Sequence, residues 1–316
     1  MESPDAPEQG ERGQDSAGTR QEPGRRNNMS GCLYLVATPI GNLEDMTFRA
    51  VRILQEADEI AAEDTRNSRK LLTHFDIHTP MTSYHEFNKY DKAEVLVQKM
   101  LEGRTVALIT DAGTPGISDP GEVLVQRCYE AGIPVVPVPG ACAAINALVA
   151  SGQGTRRFAF EAFLPAEKKD RRRILRELGS EGRTIILYEA PHRLVKTLEE
   201  LAEALGDRPL TVCKELTKKH EAFRMTTLLQ AVSIFREEEP RGEYVLVIAG
   251  KSREEQEQER KDRFAEISIP DHMKRYLEEG LSEKEAMKAV AGERGIQKRQ
   301  VYQAWLQTKD GNGKKQ

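Results

Sequence analysis

From Leu33 to Ala150, short apolar runs alternate with stretches whose apolar positions recur at helical spacing. The runs are LYLVA at Leu33, DEIAA at Asp58, TVALI at Thr105 and VVPV at Val135. The helical stretches between and after them are TFRAVRILQEA, SRKLLTHF, KAEVLVQKML, EVLVQRCYEAG and ACAAINALVA. Parallel neighbours need a crossover, so this alternation predicts a parallel sheet wrapped by helices. TVALI and VVPV are apolar throughout, the pattern of strands buried on both faces. Past the Gly-rich turn SGQGT a second series follows, with predicted strands RFAFEAFL, TIILYEA, LTVCKEL and EYVLVIAG interleaved with helices RRRILREL, RLVKTLEELAEAL and TTLLQAVSIF. The expected fold is two α/β domains.

The segment KSREEQEQERKDR from Lys251 has no apolar period and reads as a solvated linker or exposed helix. Beyond it, Pro270 marks a helix start, Ser282 to Glu285 form a capping box, and Ala286, Met287, Ala289 and Val290 supply an apolar face. With Gly280, Gly295 and QKRQVYQAWLQ, these predict three short helices resembling a helix-turn-helix. The N-terminal residues to Asn28 hold almost nothing to bury and are expected to stay disordered. Met29, just ahead of the first strand, is an alternative start. The expected layout is a tail at 1–28, α/β domains at 29–153 and 154–250, a charged linker at 251–267, a helical module at 268–308 and a tail at 309–316.

A chain of 316 residues exceeds the roughly 250 at which one hydrophobic core stops growing, which agrees with two domains. With 47 Lys+Arg against 51 Asp+Glu, the net charge of −4 excludes a uniformly basic nucleic-acid coat, so any RNA contact must use a local basic surface. Lys168, Lys169, Arg171, Arg172 and Arg173 form the densest basic run, with either phosphate contact or a solvated helix face as its role. Lys298 and Arg299 are further RNA candidates. Cys32, Cys128, Cys142 and Cys213 lack paired metal-site spacing and fit a reducing cytoplasm. No apolar run approaches the roughly 20 residues of a membrane span, and no metal is expected.

Three predicted strands run into loops of ligand-binding composition. The first ends in Thr38-Pro39-Ile40-Gly41-Asn42-Leu43, a tight turn distinct from the dinucleotide fingerprint. TVALI runs into Thr110-Asp111-Ala112-Gly113-Thr114-Pro115-Gly116, whose glycines permit close backbone approach while Asp111 accepts hydrogen bonds from hydroxyl or ammonium groups. VVPV ends in Pro139-Gly140 before the small residues Ala141 to Ala144. Ligands of open α/β sheets sit beyond the carboxyl ends of strands, although each loop alone is also compatible with plain helix–sheet packing.

These loops, with Ala62-Glu63-Asp64-Thr65-Arg66 and Glu215-Leu216-Thr217-Lys218, resemble in unbroken order the motifs of the tetrapyrrole methylase family, and specifically its ribosomal-RNA-modifying branch. The likeness spans about Leu33 to Gly250. It implies S-adenosylmethionine bound in a cleft between two α/β domains, with methyl transfer to a cytidine ribose 2'-hydroxyl of small-subunit RNA at the decoding centre. It also implies a homodimer acting on ribosomal RNA or the small subunit. The residues assigned to the donor are Thr38, Pro39, Ile40, Gly41, Asn42, Asp111, Ala112, Gly113, Thr114, Pro115, Pro139, Gly140, Ala141, Tyr188 and Ala190. Two departures stand out. Family members commonly carry Gly within FxGFLP, where this chain has Ala162, and an Arg-Gly turn after ELTK, where it has Phe223-Arg224-Met225-Thr226-Thr227.

Displacement at a sulfonium requires the ribose oxygen to be held in line, and a base or cation near the developing alkoxide helps by roughly 10²–10⁴-fold. Glu63, Asp64 and Arg66 are candidates, Arg66 for phosphate and a carboxylate for orientation, or else all three form a surface ion network and helix cap. His192 and Lys214 are candidate bases, with a helix-start hydrogen bonder the plainer role for His192. Two other functions compete: methylation of a corrin or porphyrin precursor, and a DNA-binding regulator with a ligand-sensing α/β part.

Overall fold

The computed structural model describes residues 31–264 and 266–312. The N-terminal tail to residue 28, Met29 and the final residues 313–316 lie outside the described residues. The chain divides into two compact units. One joins the segment ending at Thr38 to Met46–Gly140, and the other joins Pro39–Asp45 to the chain from Ala141 onward.

In the first unit, β1 (Leu33–Val36), β2 (Glu59–Ala62), β3 (Met81–Ser83), β4 (Val106–Ile109) and β5 (Val135–Val138) form a wholly parallel sheet in the order β3-β2-β4-β1-β5. Its helices are α1 (Phe48–Glu56), α2 (Thr65–His74), α3 (Lys89–Leu101) and α4 (Gly121–Glu130). Thr47 caps α1 through its hydroxyl, which accepts from the Ala50 N–H. Alternate residues of β1 feed opposite faces. Cys32, Tyr34 and Val36 pack with Ile53 and Leu54, while Leu33 packs with Leu96, Met100 and Leu124. The chain leaves β1 towards β2 and leaves β4 past β1 towards β5, so the β1/β4 boundary is the switch point at which such sheets bind ligands. One expectation is corrected: VVPV is an edge strand with Pro137 exposed, because the edge alone tolerates a residue without a ladder donor.

In the second unit, β6 (Phe158–Phe163), β7 (Thr184–Glu189), β8 (Pro209–Lys214), β9 (Ala222–Thr227) and β10 (Tyr244–Ile248) pair in the order β6-β7-β10-β8-β9. Only β6 and β7 are parallel. Its helices are α5 (Ala143–Ala150), α6 (Lys168–Gly179), α7 (Leu194–Leu205) and α8 (Leu228–Glu237). The units therefore part at Gly140, ahead of the Gly-rich turn taken as the boundary in sequence. The reason is packing: Ala144, Ala147 and Leu148 of α5 cover Ile186, Cys213, Val245 and Val247 of the second sheet.

After Lys251 the chain forms α9 (Arg253–Arg263), an exposed helix with no buried residue and a Ser252–Glu255 capping box. It is followed by α10 (Ile269–Glu278), α11 (Glu283–Arg294) and α12 (Lys298–Asn312). Met273, Met287, Val290, Val301 and Trp305 form their core. Ser282 and Glu285 make the expected capping box.

Candidate functional site

Within the first unit, the loop after β4 is built from backbone that only its composition permits. Gly113 and Gly116 have φ of 86° and 87°, and Ser118 adds a third left-handed position at 63°. The Asp119 carboxylate pins the turn, accepting from the Gly116 N–H (2.8 Å) and the Gly121 N–H (2.7 Å). Burial nevertheless raises its carboxyl above the ordinary aspartate value, against those two bonds. The loop is tied to β1 by a two-way bridge at the switch point: Thr38 N–H to Gly113 O at 2.9 Å, and Gly113 N–H to Thr38 O at 3.1 Å. Gly140, after β5, sits against the same strand end, where an added Cβ would lie 2.7 Å from the Ala37 Cβ.

Beside this bridge the ends of β2 and β4 share a carboxylate cluster. Glu63 Oε2 accepts from Thr110 Oγ1 at 2.6 Å and from the Asp111 N–H at 3.4 Å. Asp111 accepts from the Asp64 N–H at 3.3 Å and from Asn67 Nδ2 at 3.5 Å. Burial, and next the Glu63 charge, raise the Asp111 carboxyl above its ordinary value. Asp64 caps α2 and is held below its ordinary value by the Arg66 side chain, which bonds it in two-pronged fashion while remaining 89% exposed. His85, at the end of β3 beside β2, escaped the sequence reading. Its Nδ1 is buried without a hydrogen-bond partner among the described residues, and its N–H donates to Asn88 Oδ1 at 2.8 Å. A lone His between two short runs carries no pattern to flag it.

The second unit gathers the remaining motifs. Pro39 to Asn42 continue from β1 but belong to this unit, with Ile40 in the apolar cluster beneath α5. An added Cβ on Gly41 would meet Lys218 Cγ at 2.4 Å and Thr217 Oγ1 at 3.0 Å, so only glycine lets these turns meet. The Glu215–Lys218 turn is strained, with φ of 51° at Glu215 and 65° at Thr217. Glu215 accepts from Lys218 Nζ (3.0 Å) and the Glu243 N–H (2.9 Å). Burial would raise its carboxyl, yet the Lys218 bond and charge hold it below the ordinary value. The Tyr188 hydroxyl accepts from the Ala144 N–H at 3.1 Å, and burial pushes its pKa to about 12. Lys214 and Glu189 both pair with Tyr244, so the ends of β7 and β8 flank one end of β10. Ala190 donates to Glu189 Oε1 at 2.8 Å, and His192 is exposed.

One basic candidate is corrected outright. Arg171 is buried, donating from Nε to Glu200 (2.5 Å) and from Nη2 to Thr197 (2.7 Å), whose hydroxyl reaches Glu189 (2.5 Å). It faces inward on an amphipathic α6 and is closed to phosphate. Arg173 pairs with Asp170 and Glu177, leaving Lys168, Lys169 and Arg172 exposed on that helix. Lys298 and Arg299 are exposed at the start of α12.

A parallel sheet with a glycine-rich switch-point loop, joined to a mixed sheet with a strained Glu-Leu-Thr-Lys turn, defines a class, and residues 32–232 match the sequence profile of the Tetrapyrrole (Corrin/Porphyrin) Methylases. The chain belongs to that family. It is 50% identical to ribosomal RNA small subunit methyltransferase I of Synechocystis sp., over 88% of this chain and 98% of that one. It is 47% identical to the protein of the same name from Halalkalibacterium halodurans, over 91% and 99%. The fold also matches a crystal structure of diphthine synthase, with a TM-score of 0.54 and 14% identity over 69% of this chain and 90% of that one.

Proposed function

We propose that this chain is an S-adenosylmethionine-dependent methyltransferase of small-subunit ribosomal RNA, acting on a cytidine ribose 2'-hydroxyl at the decoding centre as a cytoplasmic homodimer. RNA is preferred to a tetrapyrrole because the relatives at 47–50% identity carry the ribosomal name over nearly their full length. No helix among the described residues is long and apolar enough to cross a membrane. Bound S-adenosylmethionine supplies an electrophilic methyl group on a sulfonium centre.

The observation that carries the reading is the pinned 110–121 loop with Asp111 at its head. Asp111 is exposed at the loop's head, and partial desolvation and the Glu63 charge disfavour its ionised form, so it is open to a ligand presenting ammonium or hydroxyl donors. Glycine backbone at 113 and 116 admits close approach by a nucleoside. These features fit the donor. Thr38, Pro39, Ile40, Gly41, Asn42, Ala112, Thr114, Pro115, Pro139, Gly140, Ala141, Tyr188 and Ala190 are the further candidate donor residues. Glu63 orients the Thr110–Asp111 turn, and Arg66 exchanges Asp64 for RNA phosphate. His192 and Lys214 are the proton acceptors to be separated by pH–rate profiles of their alanine variants. Lys168, Lys169, Arg172, Lys298 and Arg299 add phosphate contacts.

Asp111→Asn tests this directly. Hydrogen bonds to a charged group contribute about 1.5–3 kcal/mol, so titration calorimetry should show donor affinity falling roughly 10- to 100-fold. The melting temperature should not fall, because a carboxylate with a raised pKa costs the fold stability as pH rises above its unfolded value. Undiminished affinity removes Asp111 from the donor site. Absence of methyl transfer from the wild-type chain to small-subunit RNA removes the function.

A further inference from the structure

The second unit carries a pocket that no motif announces. It opens at the end of the sheet where β6 and β7 begin and β10 ends, with a volume of about 550 Å³. Ile248 pairs with Ile185 at this end, whereas Tyr244 pairs with Glu189 at the other. The five steps of β7 from Thr184 to Glu189, at about 3.3 Å each, therefore put roughly 17 Å between this pocket and the level of Glu189 and Lys214, with Tyr188 one step nearer. Four arginines line it, Arg156, Arg157, Arg183 and Arg253, drawn from three separate segments, and no carboxylate lines it with them.

The arginines are not equivalent. Arg183 is clamped on Glu181, Nε to Oε1 at 2.9 Å and Nη2 to Oε2 at 2.6 Å, which fixes its guanidinium plane. Arg156, Arg157 and Arg253 are exposed and form no ion pair among the described residues. In a chain of net charge −4, three unpaired guanidinium groups around one concavity are a marked local excess. The pocket wall is shaped by close backbone contact as well. A Cβ on Gly250 would stand 2.3 Å from the Gly182 carbonyl carbon and oxygen, so the floor exists only with glycine there.

We propose that this pocket grips phosphodiester groups of the RNA substrate away from the methylated nucleotide, a holding site that fixes the register of the strand. The inference rests on the RNA reading above. Guanidinium forks match phosphate oxygens two by two, and the three forks of Arg156, Arg157 and Arg253, left open beside an Arg183 already held by Glu181, suit consecutive phosphates better than one small anion. Each phosphate neutralised on single-stranded RNA adds about 0.7 to the slope of log affinity against log salt.

The test uses the full chain and the triple variant Arg156→Gln, Arg157→Gln, Arg253→Gln, whose side chains are exposed and unpaired, so the fold is retained. The probe is a fluorescently labelled small-subunit RNA fragment, read by anisotropy across a salt series. RNA affinity should fall roughly 10- to 100-fold and the salt slope by about two, with S-adenosylmethionine affinity by calorimetry unchanged. The Arg→Lys triple should restore most of the slope but only part of the affinity, because ammonium groups keep the charge and lose the fork. An unchanged affinity and slope in the Gln triple overturns the pocket while leaving methyl transfer, measured separately on wild type, to judge the function. Tight binding of inorganic pyrophosphate that the Gln triple abolishes, without any loss of RNA affinity, also overturns it in favour of a small-anion site.

Discussion

Two groups of arginines in the second unit had opposite fates. On α6, basic residues stand almost side by side in the chain, yet the helix turns Arg171 into the core and gives Arg173 two carboxylates. Around the pocket, Arg156, Arg157, Arg183 and Arg253 are scattered over nearly a hundred residues, and the fold collects them with three left without an ion pair among the described residues. Charge density along a sequence is thus a poor guide to charge available at a surface. What decides is whether the helical period points a guanidinium inward and whether a carboxylate lies three or four residues away.

The largest expected difference between the groups is in stability. Arg171→Ala takes the nearer partner from Glu200, leaving it Lys196 at 4.0 Å, and opens the Thr197–Glu189 chain; breaking a fully buried pair costs about 3–5 kcal/mol, the upper bound for this one. Urea unfolding should show that loss while the salt slope of RNA binding for the folded fraction stays at the wild-type value. A loss below about 1 kcal/mol would mean the network holds nothing, a result expected of surface pairs instead. Next in size, the Lys168→Gln, Lys169→Gln, Arg172→Gln variant should lower RNA affinity by about threefold and the salt slope by less than one. Glu167, Asp170 and Glu177 on the same helix already offset those charges. A deficit larger than that of the pocket triple would reverse the ranking.

The same distinction governs what could be read from the chain. The first sheet was legible because β1, β2 and β4 are central strands whose apolar runs leave no other place for them. β3 is three residues long and β9 is mostly exposed along AFRMTT, so neither has a period to detect. The candidate donor loops stood out through glycine and proline, but not their ownership. Pro39 to Asn42 and α5 follow first-unit strands and pack in the second unit, which depends on partners distant in sequence such as Lys218 and Val245. The missing glycine of FxGFLP is explained in the same way. Ala162 sits at a β-bulge with φ of 51°, a left-handed position where glycine costs less. The pocket arginines were invisible because no single segment holds more than two of them.

Arg294 shows a third fate, an arginine consumed by a small core, and it yields the smallest expected effect. Its Nη2 donates to the Ile267 carbonyl at 2.5 Å, its guanidinium lies over Phe264, and its Nε donates to His272 Nδ1 at 3.1 Å. His272 is buried between the rings of Phe264 and Tyr276 with Nε2 3.0 Å from Glu293. Burial first, then the Arg294 charge, hold the His272 pKa below its ordinary value of 6.5, with Glu293 opposing and Arg275 assisting. The folded helices therefore prefer the neutral ring. Above pH 6.5 this is without effect; as pH falls below it the unfolded chain takes up the proton first, and stability is lost until the folded pKa is passed. The loss cannot exceed about 1.4 kcal/mol per pH unit for one group. Trp305, the single tryptophan of the chain, lies in this helical core, so its fluorescence reports the urea midpoint of the packing around His272. That midpoint should fall between pH 7 and 5.5, and His272→Phe should abolish the fall. A midpoint that rises on acidification would show that Glu293 outweighs burial and Arg294, and that this arginine repels no charge it faces.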